Sequence, residues 1–262
     1  MKTAAAADPA GTGAQTVERA CVLLQEIARA GREGARMLDL CSATGFSRPT
    51  AHRILRSLAA AGFVRQAQGS RRYQLGAALF ELGLAAPTPV ECFPAVTQAI
   101  DDLAEATGDT VYLMLRSGDD VVCAWRGVGA YPIRANDVAA GERRPMGASA
   151  AGLALLAALS PLEAQAILDR SRPRLAQKCL FSHSQLLAEV AQAREQHHWF
   201  GKDLVIKGVS AVGVVVPASV GAPYMAISVS GVHSRVTMQR LPEILPMLRQ
   251  TAARISAAGA QG

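Results

Sequence analysis

The chain has 262 residues, half of them apolar and 18% charged, with a net charge of +6. That is enough sequence for two domains that each bury a core without disulfide or metal, and it excludes wholesale disorder. Five cysteines, Cys21, Cys41, Cys92, Cys123 and Cys179, are odd in number and form no CxxC pair, which argues against a disulfide framework or a zinc site.

Residues 1–14, rich in Ala, Gly and Thr, are expected to form a disordered tail. They lack the apolar core of a signal peptide, so a cytoplasmic protein is expected. The apolar stretches 147–162 and 208–234 are too short or too broken by Pro, Gly and Ser to span a membrane. Charge is unevenly placed. Between residues 14 and 85 ten arginines stand against five acidic residues, while from residue 86 onward 16 basic residues meet 15 acidic ones. A positive head on a neutral body fits a module for a polyanion followed by a domain with another task.

Thr16 can cap a first helix in which Val17, Cys21, Leu24 and Ala28 recur at helical spacing. Gly31 and Gly34 break it, and a second short helix over 37–44 stops at Gly45. Ser47, as cap, and Pro49, in the first turn, then open a third helix only two residues later. On that helix Ala51, Ile54, Leu55 and Leu58 share one face, while Pro49, His52, Arg53 and Arg56 share the other, flanked by Thr50 and Ser57. An outward face of two guanidiniums, an imidazole and hydroxyls can donate to base edges and phosphates in a major groove. Residues 63–65 read as a strand, 66–70 as a turn and 71–75 as a returning strand, which makes a hairpin with Arg71 and Arg72 near its tip. Helix, turn, helix and basic wing over 15–75 describe a winged helix-turn-helix, and 76–90 reads as a linker helix.

Here the sequence resembles the IclR family of transcription regulators. The resemblance rests on Thr16-Val17-Glu18-Arg19-Ala20, Ala43-Thr44-Gly45-Phe46-Ser47, His52-Arg53-Ile54-Leu55, Ala61-Gly62-Phe63-Val64 and Arg72-Tyr73-Gln74-Leu75-Gly76, in that order. It implies a dimer or tetramer reading a roughly palindromic operator in double-stranded DNA. The candidate DNA contacts are Thr16, Ser47, Arg48, Thr50, His52, Arg53, Arg56, Arg71 and Arg72.

Farther on, a helix carries Val96, Ile100 and Leu103 inward; strands over 110–116 and 121–126 flank a turn at 117–120. Ser160 with Glu163, and Ser182 with Gln185, read as capping boxes. Strands over 209–216 and 223–229 precede a closing helix over 241–257, whose regular part Pro242 and Pro246 should confine. Strands grouped among helices give an α+β fold. The resemblance makes 91–262 a GAF-like effector-binding domain, on the landmarks Pro145-Met146-Gly147-Ala148-Ser149-Ala150-Ala151-Gly152, Gly208-Val209 with Ala211-Val212-Gly213, and Ser228-Val229-Ser230-Gly231 with Arg235. Carried over by position, the effector contacts are Met146, Ser149, Ala150, Ala151, Asp203, Ala211, Ser228 and Ser230. The sequence departs from the family's pattern in having Gly147 where His is frequent, Leu153 where Lys is frequent, and Ala211 in place of a polar residue. Those departures imply a less polar pocket, suited to an aromatic or otherwise apolar effector rather than a small keto acid.

No cofactor is implied. Gly147-Ala148-Ser149-Ala150-Ala151 approximates a nucleophile elbow, but the preceding Glu142-Arg143-Arg144-Pro145 makes a poor strand and the last glycine is missing, so a serine hydrolase is the weaker alternative. A sensor or scaffold protein that does not bind DNA is the other.

Overall fold

The computed structural model describes residues 10–66, 69–85, 93–133, 138–218 and 221–259, in two compact units, 1–87 and 88–262. The expected tail 1–14 falls partly outside the described residues. Its last part is a correction: helix α1 runs Ala10–Arg29, so Thr16 lies inside the helix rather than capping it.

The first unit continues with β1 (Ala35–Arg36), α2 (Met37–Thr44), α3 (Arg48–Ala60), β2 (Val64–Gln66), β3 (Arg72–Leu75) and α4 (Ala77–Ala85). Leu23 and Ile27 of α1, Leu40 of α2 and Ala51, Ile54, Leu55 and Leu58 of α3 form one buried cluster, so the predicted inner face of the third helix is the packed one. Gly45 takes the left-handed conformation that ends α2 (φ 70°), which no β-branched residue would tolerate there. The wing has three strands rather than two, in the order β1-β3-β2. The rest of the expected linker, beyond α4, lies outside the described residues.

The second unit opens with α5 (Phe93–Thr107), followed by β4 (Thr110–Ser117), β5 (Asp120–Val128), β6 (Arg143–Pro145), α6 (Ala150–Ala158), α7 (Pro161–Lys178), α8 (His183–Gln196), β7 (Trp199–Lys202), β8 (Val209–Val215), β9 (Met225–Val232) and α9 (Leu241–Gly259). Its six-stranded antiparallel sheet has the order β6-β5-β4-β9-β8-β7. Strand alternation splits the core in two. Val111, Leu113, Val212, Val214, Ile227 and Val229 face α5 and α9; Tyr112, Met114 and Ala226 share the other face with residues of α6, α7 and α8.

Three local expectations need correction. Asp120 begins β5 instead of ending the turn, and its buried carboxylate pairs with Arg174 at 2.7 Å. Ser160 does cap α7 through Glu163 N, but the Glu163 carboxylate turns away to Arg116 (2.6 Å) and leaves the capping box half made. The Ser182 box is complete. Pro242 and Pro246 do not confine α9. The first sits in the opening turn, where its missing N–H costs nothing, and the stripe Ile244, Leu248, Ala252 and Ile255 is buried throughout, which offsets the one bond Pro246 removes.

Helix α6 lies close against β8 because position 213 is glycine. A Cβ there would stand 2.6 Å from the Ala150 carbonyl oxygen, backbone that cannot step aside cheaply. Gly213→Val should therefore destabilise the second unit by about 1–3 kcal/mol, the usual cost of overpacking, read as a lowered denaturant midpoint; an unchanged midpoint would mean that α6 shifts freely. No helix of the described residues is long and apolar enough to cross a membrane.

Candidate DNA-reading face and effector cavity

Ser47 accepts a hydrogen bond from Thr50 N (3.4 Å) and shares another with Thr50 Oγ1 (2.9 Å). Both hydroxyls thus serve the cap of α3 first. Beyond that cap, Arg48, His52, Arg53 and Arg56 are exposed, and no described carboxylate pairs with any of them. With 3.6 residues per turn, residues 52, 53 and 56 span one turn of one face. The Phe46 ring in the turn before α3 lies under the Arg19 guanidinium, 5.7 Å from it, which ties α1 to the entry of the outward-facing helix.

On the wing the two predicted arginines part company. Arg71 is exposed, whereas Arg72 is half-buried and its Nη1 donates to Gly34 O at 2.9 Å, fastening β3 beside β1. Arg65, paired in register with Gln74 on the same hairpin, is exposed and was not singled out from sequence. Thr16 is exposed on α1, one of the outer positions of that helix.

In the second unit the start of α6, the loop 203–209 and strands β4, β7, β8 and β9 surround a cavity of about 60 Å³. One water needs roughly 10–15 Å³ of such space, so the cavity is sized for a small molecule. Ser149, Ala150, Ala211, Ser228 and Ser230 come together on its wall. The register explains the serines: Ser228 sits opposite Tyr112 and Ser230 opposite Ala211, so all four side chains emerge on one face of the sheet. Met146 and Ala151 are fully buried in the core beneath and do not line the cavity. Asp203 does not line it either. It takes a left-handed conformation (φ 57°), accepts from Gly208 N at 2.7 Å and lies 3.0 Å from His233 Nε2, thereby closing the loop whose Leu204, Val205 and Ile206 form the wall.

Sequence reasoning missed three wall residues of consequence, Tyr112, Trp199 and Arg144. Trp199 donates from Nε1 to Glu189 at 2.8 Å, and its ring lies across Gly201, where a Cβ would meet it at 2.3 Å. The only hint of that aromatic wall was a glycine two residues after a tryptophan. The departures noted in the sequence are absorbed by packing. Leu168 and Leu175 fill the space beside Gly147, and Leu153 is fully buried, where a lysine would lose its water.

Among the described residues nothing resembles an acyl-transfer site around Ser149. Ser149 follows a short turn at Met146–Ala148 rather than a strand, and its Oγ accepts from Gly152 N as the cap of α6. Burial pushes the nearby Cys179 thiol up from its ordinary pKa, which keeps it protonated and unreactive. Among the described residues no group of three or more His, Cys, Asp or Glu side chains could hold a metal ion.

Residues 16–68 match the family model for the IclR helix-turn-helix domain, and residues 89–257 match that for the bacterial transcriptional regulator IclR C-terminal domain. The chain belongs to the IclR family. It is a DNA-binding transcription regulator with an effector-binding C-terminal domain, and not an enzyme. The HTH-type transcriptional repressor AllR of Escherichia coli K12 is 29% identical over 247 residues, covering 94% of this chain and 90% of AllR; its counterpart in Salmonella typhi is 28% identical over the same span. In fold, the chain matches a putative IclR regulator of Silicibacter sp. TM1040 with a TM-score of 0.80 at 24% identity, covering 93% and 96% of the two chains. It also matches an IclR homologue of Microbacterium hydrocarbonoxydans, solved with 4-hydroxybenzoate, with a TM-score of 0.73 at 17% identity, covering 94% and 100%. The winged helix and the α+β second domain read from the sequence are those of this family.

Proposed function

We propose that this IclR-family regulator binds a roughly palindromic operator as a dimer or tetramer and that an aromatic or otherwise apolar effector in the cavity of its second domain sets the operator affinity. The observation that carries the effector half is the cavity wall: Tyr112, Trp199, Met114 and Val138 supply apolar surface, and Ser149, Ser228, Ser230 and Arg144 supply the few polar groups that orient a ligand. The AllR relatives, named repressors, and the Microbacterium homologue bound to 4-hydroxybenzoate support the reading. The DNA half rests on the outward face of α3, with His52, Arg53 and Arg56 at base edges, Arg48 and Arg71 on phosphate, and Arg65 added to the wing. In a two-fold assembly paired α3 helices meet successive major grooves about 34 Å apart, the spacing that makes an operator palindromic.

Footprinting with DNA from upstream of the protein's own gene, with and without benzoate and 4-hydroxybenzoate, tests both halves. A two-fold symmetric footprint that such a compound weakens or strengthens is expected. Affinity should also fall steeply with salt, by about 10³–10⁵ between roughly 50 and 200 mM if six to ten phosphates are contacted. Salt-independent binding, or none, would favour the scaffold alternative.

A further inference from the structure

The wall of the effector cavity is thin on one side. Its residues on β4, β6 and β9 and at the start of α6 are all buried; those that also reach solvent are Gly201, Val205, Ile206, Val209 and Ala211. All five lie in the loop 203–208 or on β7 and β8, the strands it joins. Among the described residues, this loop is therefore where the cavity meets water. It is tethered at both ends and slack between them. At the near end Leu204 O accepts from Leu180 N at 2.8 Å and from Cys179 Sγ at 3.2 Å, which ties it to the α7–α8 connection. At the far end Gly208 O accepts from His233 N at 2.9 Å, Gly208 N donates to Asp203 Oδ1 at 2.7 Å, and that same oxygen stands 3.0 Å from His233 Nε2. Between the tethers, Val205, Ile206 and Lys207 share one long backbone bond, from Val209 N to Ile206 O at 3.3 Å. The two ends take left-handed conformations, Asp203 at φ 57° and Gly208 at φ 87°, and no atom lies within 4 Å of the place a Gly208 Cβ would occupy, so the far end has room to swing.

We propose that residues 204–208 are the gate of the effector cavity and that Asp203 and His233 are its latch. The inference rests on reading this cavity as the effector site and adds how a ligand gains access to it. The Asp203 carboxylate joins the two sides of the far end, holding Gly208 N within the loop and facing the imidazole that follows β9. His233 Nε2 is shut off from water and has no group in line with it, so no solvent molecule replaces the carboxylate while the gate is closed. The two side chains as a whole are 36% and 43% exposed, which holds the pair to the modest strength of a partly solvated contact. Modest strength suits a latch. It biases the loop shut, yet breaks each time a ligand passes. Asp203 and His233 line no part of the cavity, so they act as positioning residues: the latch is the same with the cavity empty or filled, and it sets the rates of binding rather than the affinity.

Thiol labelling of the full chain reads the gate without knowledge of the effector. In Ser228→Cys the new thiol lies on the cavity wall, where methyl methanethiosulfonate, small and uncharged, reaches it when the gate opens. Peptide mass spectrometry follows position 228 and, in the same sample, Cys123, which is fully buried and lines no part of the cavity. Added to Ser228→Cys, Asp203→Ala removes both contacts of the carboxylate and should speed labelling at 228 about tenfold or more. His233→Ala removes one and should speed it about threefold. Cys123 should stay as slow as before. Asp203→Asn keeps a residue at ease in the left-handed conformation and an acceptor for Gly208 N; it should match His233→Ala, and the two together should do no more than either alone. Labelling at 228 that neither Ala variant speeds overturns the proposal, because the cavity then opens elsewhere. Labelling at 228 that rises in step with Cys123 overturns it too, because the domain then loosens as a whole. Phenol, benzamide and 4-hydroxybenzoate are next tried as protectants of position 228. With a compound that protects, stopped-flow fluorescence should show association and dissociation both about threefold faster in Asp203→Asn than in the wild type, at unchanged Kd. Faster dissociation alone would make Asp203 a ligand contact and overturn the latch. If no compound protects while the labelling rates behave as expected, the effector reading falls and the gate stands.

Discussion

Replacing Asp109 by Ala should cost the effector-binding domain about 3–5 kcal/mol, the largest stability loss expected of any single polar substitution in it. Asp109 stands where α5 turns into β4, and its carboxylate is almost wholly buried. It accepts from Arg235 Nε and Nη2, both at 3.2 Å, and from Arg240 Nη1 at 2.7 Å. Both arginines also donate to the Thr107 carbonyl at 2.7 Å, and the Tyr131 ring stacks 4.7 Å from Arg235. One carboxylate thereby ties the end of α5 to the β9–α9 connection, more than 120 residues away in sequence. Without it two guanidiniums, each less than a third exposed, crowd the Thr107 carbonyl and repel one another, and the Glu243 carboxylate, 3.4 Å from Arg240 Nε, is the anion left beside them. Chemical denaturation of the full chain measures the loss. Asp109→Asn, which keeps an acceptor but not the charge, should fall between Ala and wild type; equal midpoints for Asn and wild type would show that hydrogen bonding rather than charge holds the knot.

Much of the fold was legible because its elements carry local chemistry. The Ser47 cap, Pro49 in the first turn and the Ala51, Ile54, Leu55, Leu58 stripe define α3 without any neighbour. What was illegible depended on neighbours. The two-residue strand β1 has no pattern of its own and exists because β3 lies beside it. The early start of α1 was hidden by Gly11 and Gly13, poor helix formers that the longer helix carries. Asp120 read as a turn residue since Ser-Gly-Asp-Asp is turn chemistry, yet Arg174, 54 positions on, draws it into the strand. The cavity divides in the same way. Its serines were found by matching a family pattern, whereas Arg144 was hidden in a charged run that sequence alone presents as solvated surface. Only the pairing of β6 with β5, Arg144 opposite Val121, sets it in the sheet whose inner face lines the cavity.

Arg53→Ala should abolish most discrimination between operator and random duplex while leaving the protein as stable as before. Arg53 projects from the face of α3 opposite the buried stripe and pairs with no described carboxylate; the contact it makes within the protein, its carbonyl accepting from Ser57 Oγ at 3.3 Å, belongs to the backbone and survives truncation. A guanidinium at such a position can bond both acceptors of a guanine in the major groove, a pairing worth about 1–3 kcal/mol against the wrong base. Specific affinity should therefore drop about 10- to 100-fold, with the non-specific affinity and unfolding midpoint nearly unchanged. Lysine should not restore it, because an ammonium lacks the two-pronged geometry. Arg71→Ala provides the contrast. A wing arginine on phosphate should weaken all sequences alike and flatten the slope of affinity against salt by about one unit. If Arg53→Ala behaves like Arg71→Ala, then Arg53 grips phosphate, and base reading must pass to His52 and Arg56 on the same face.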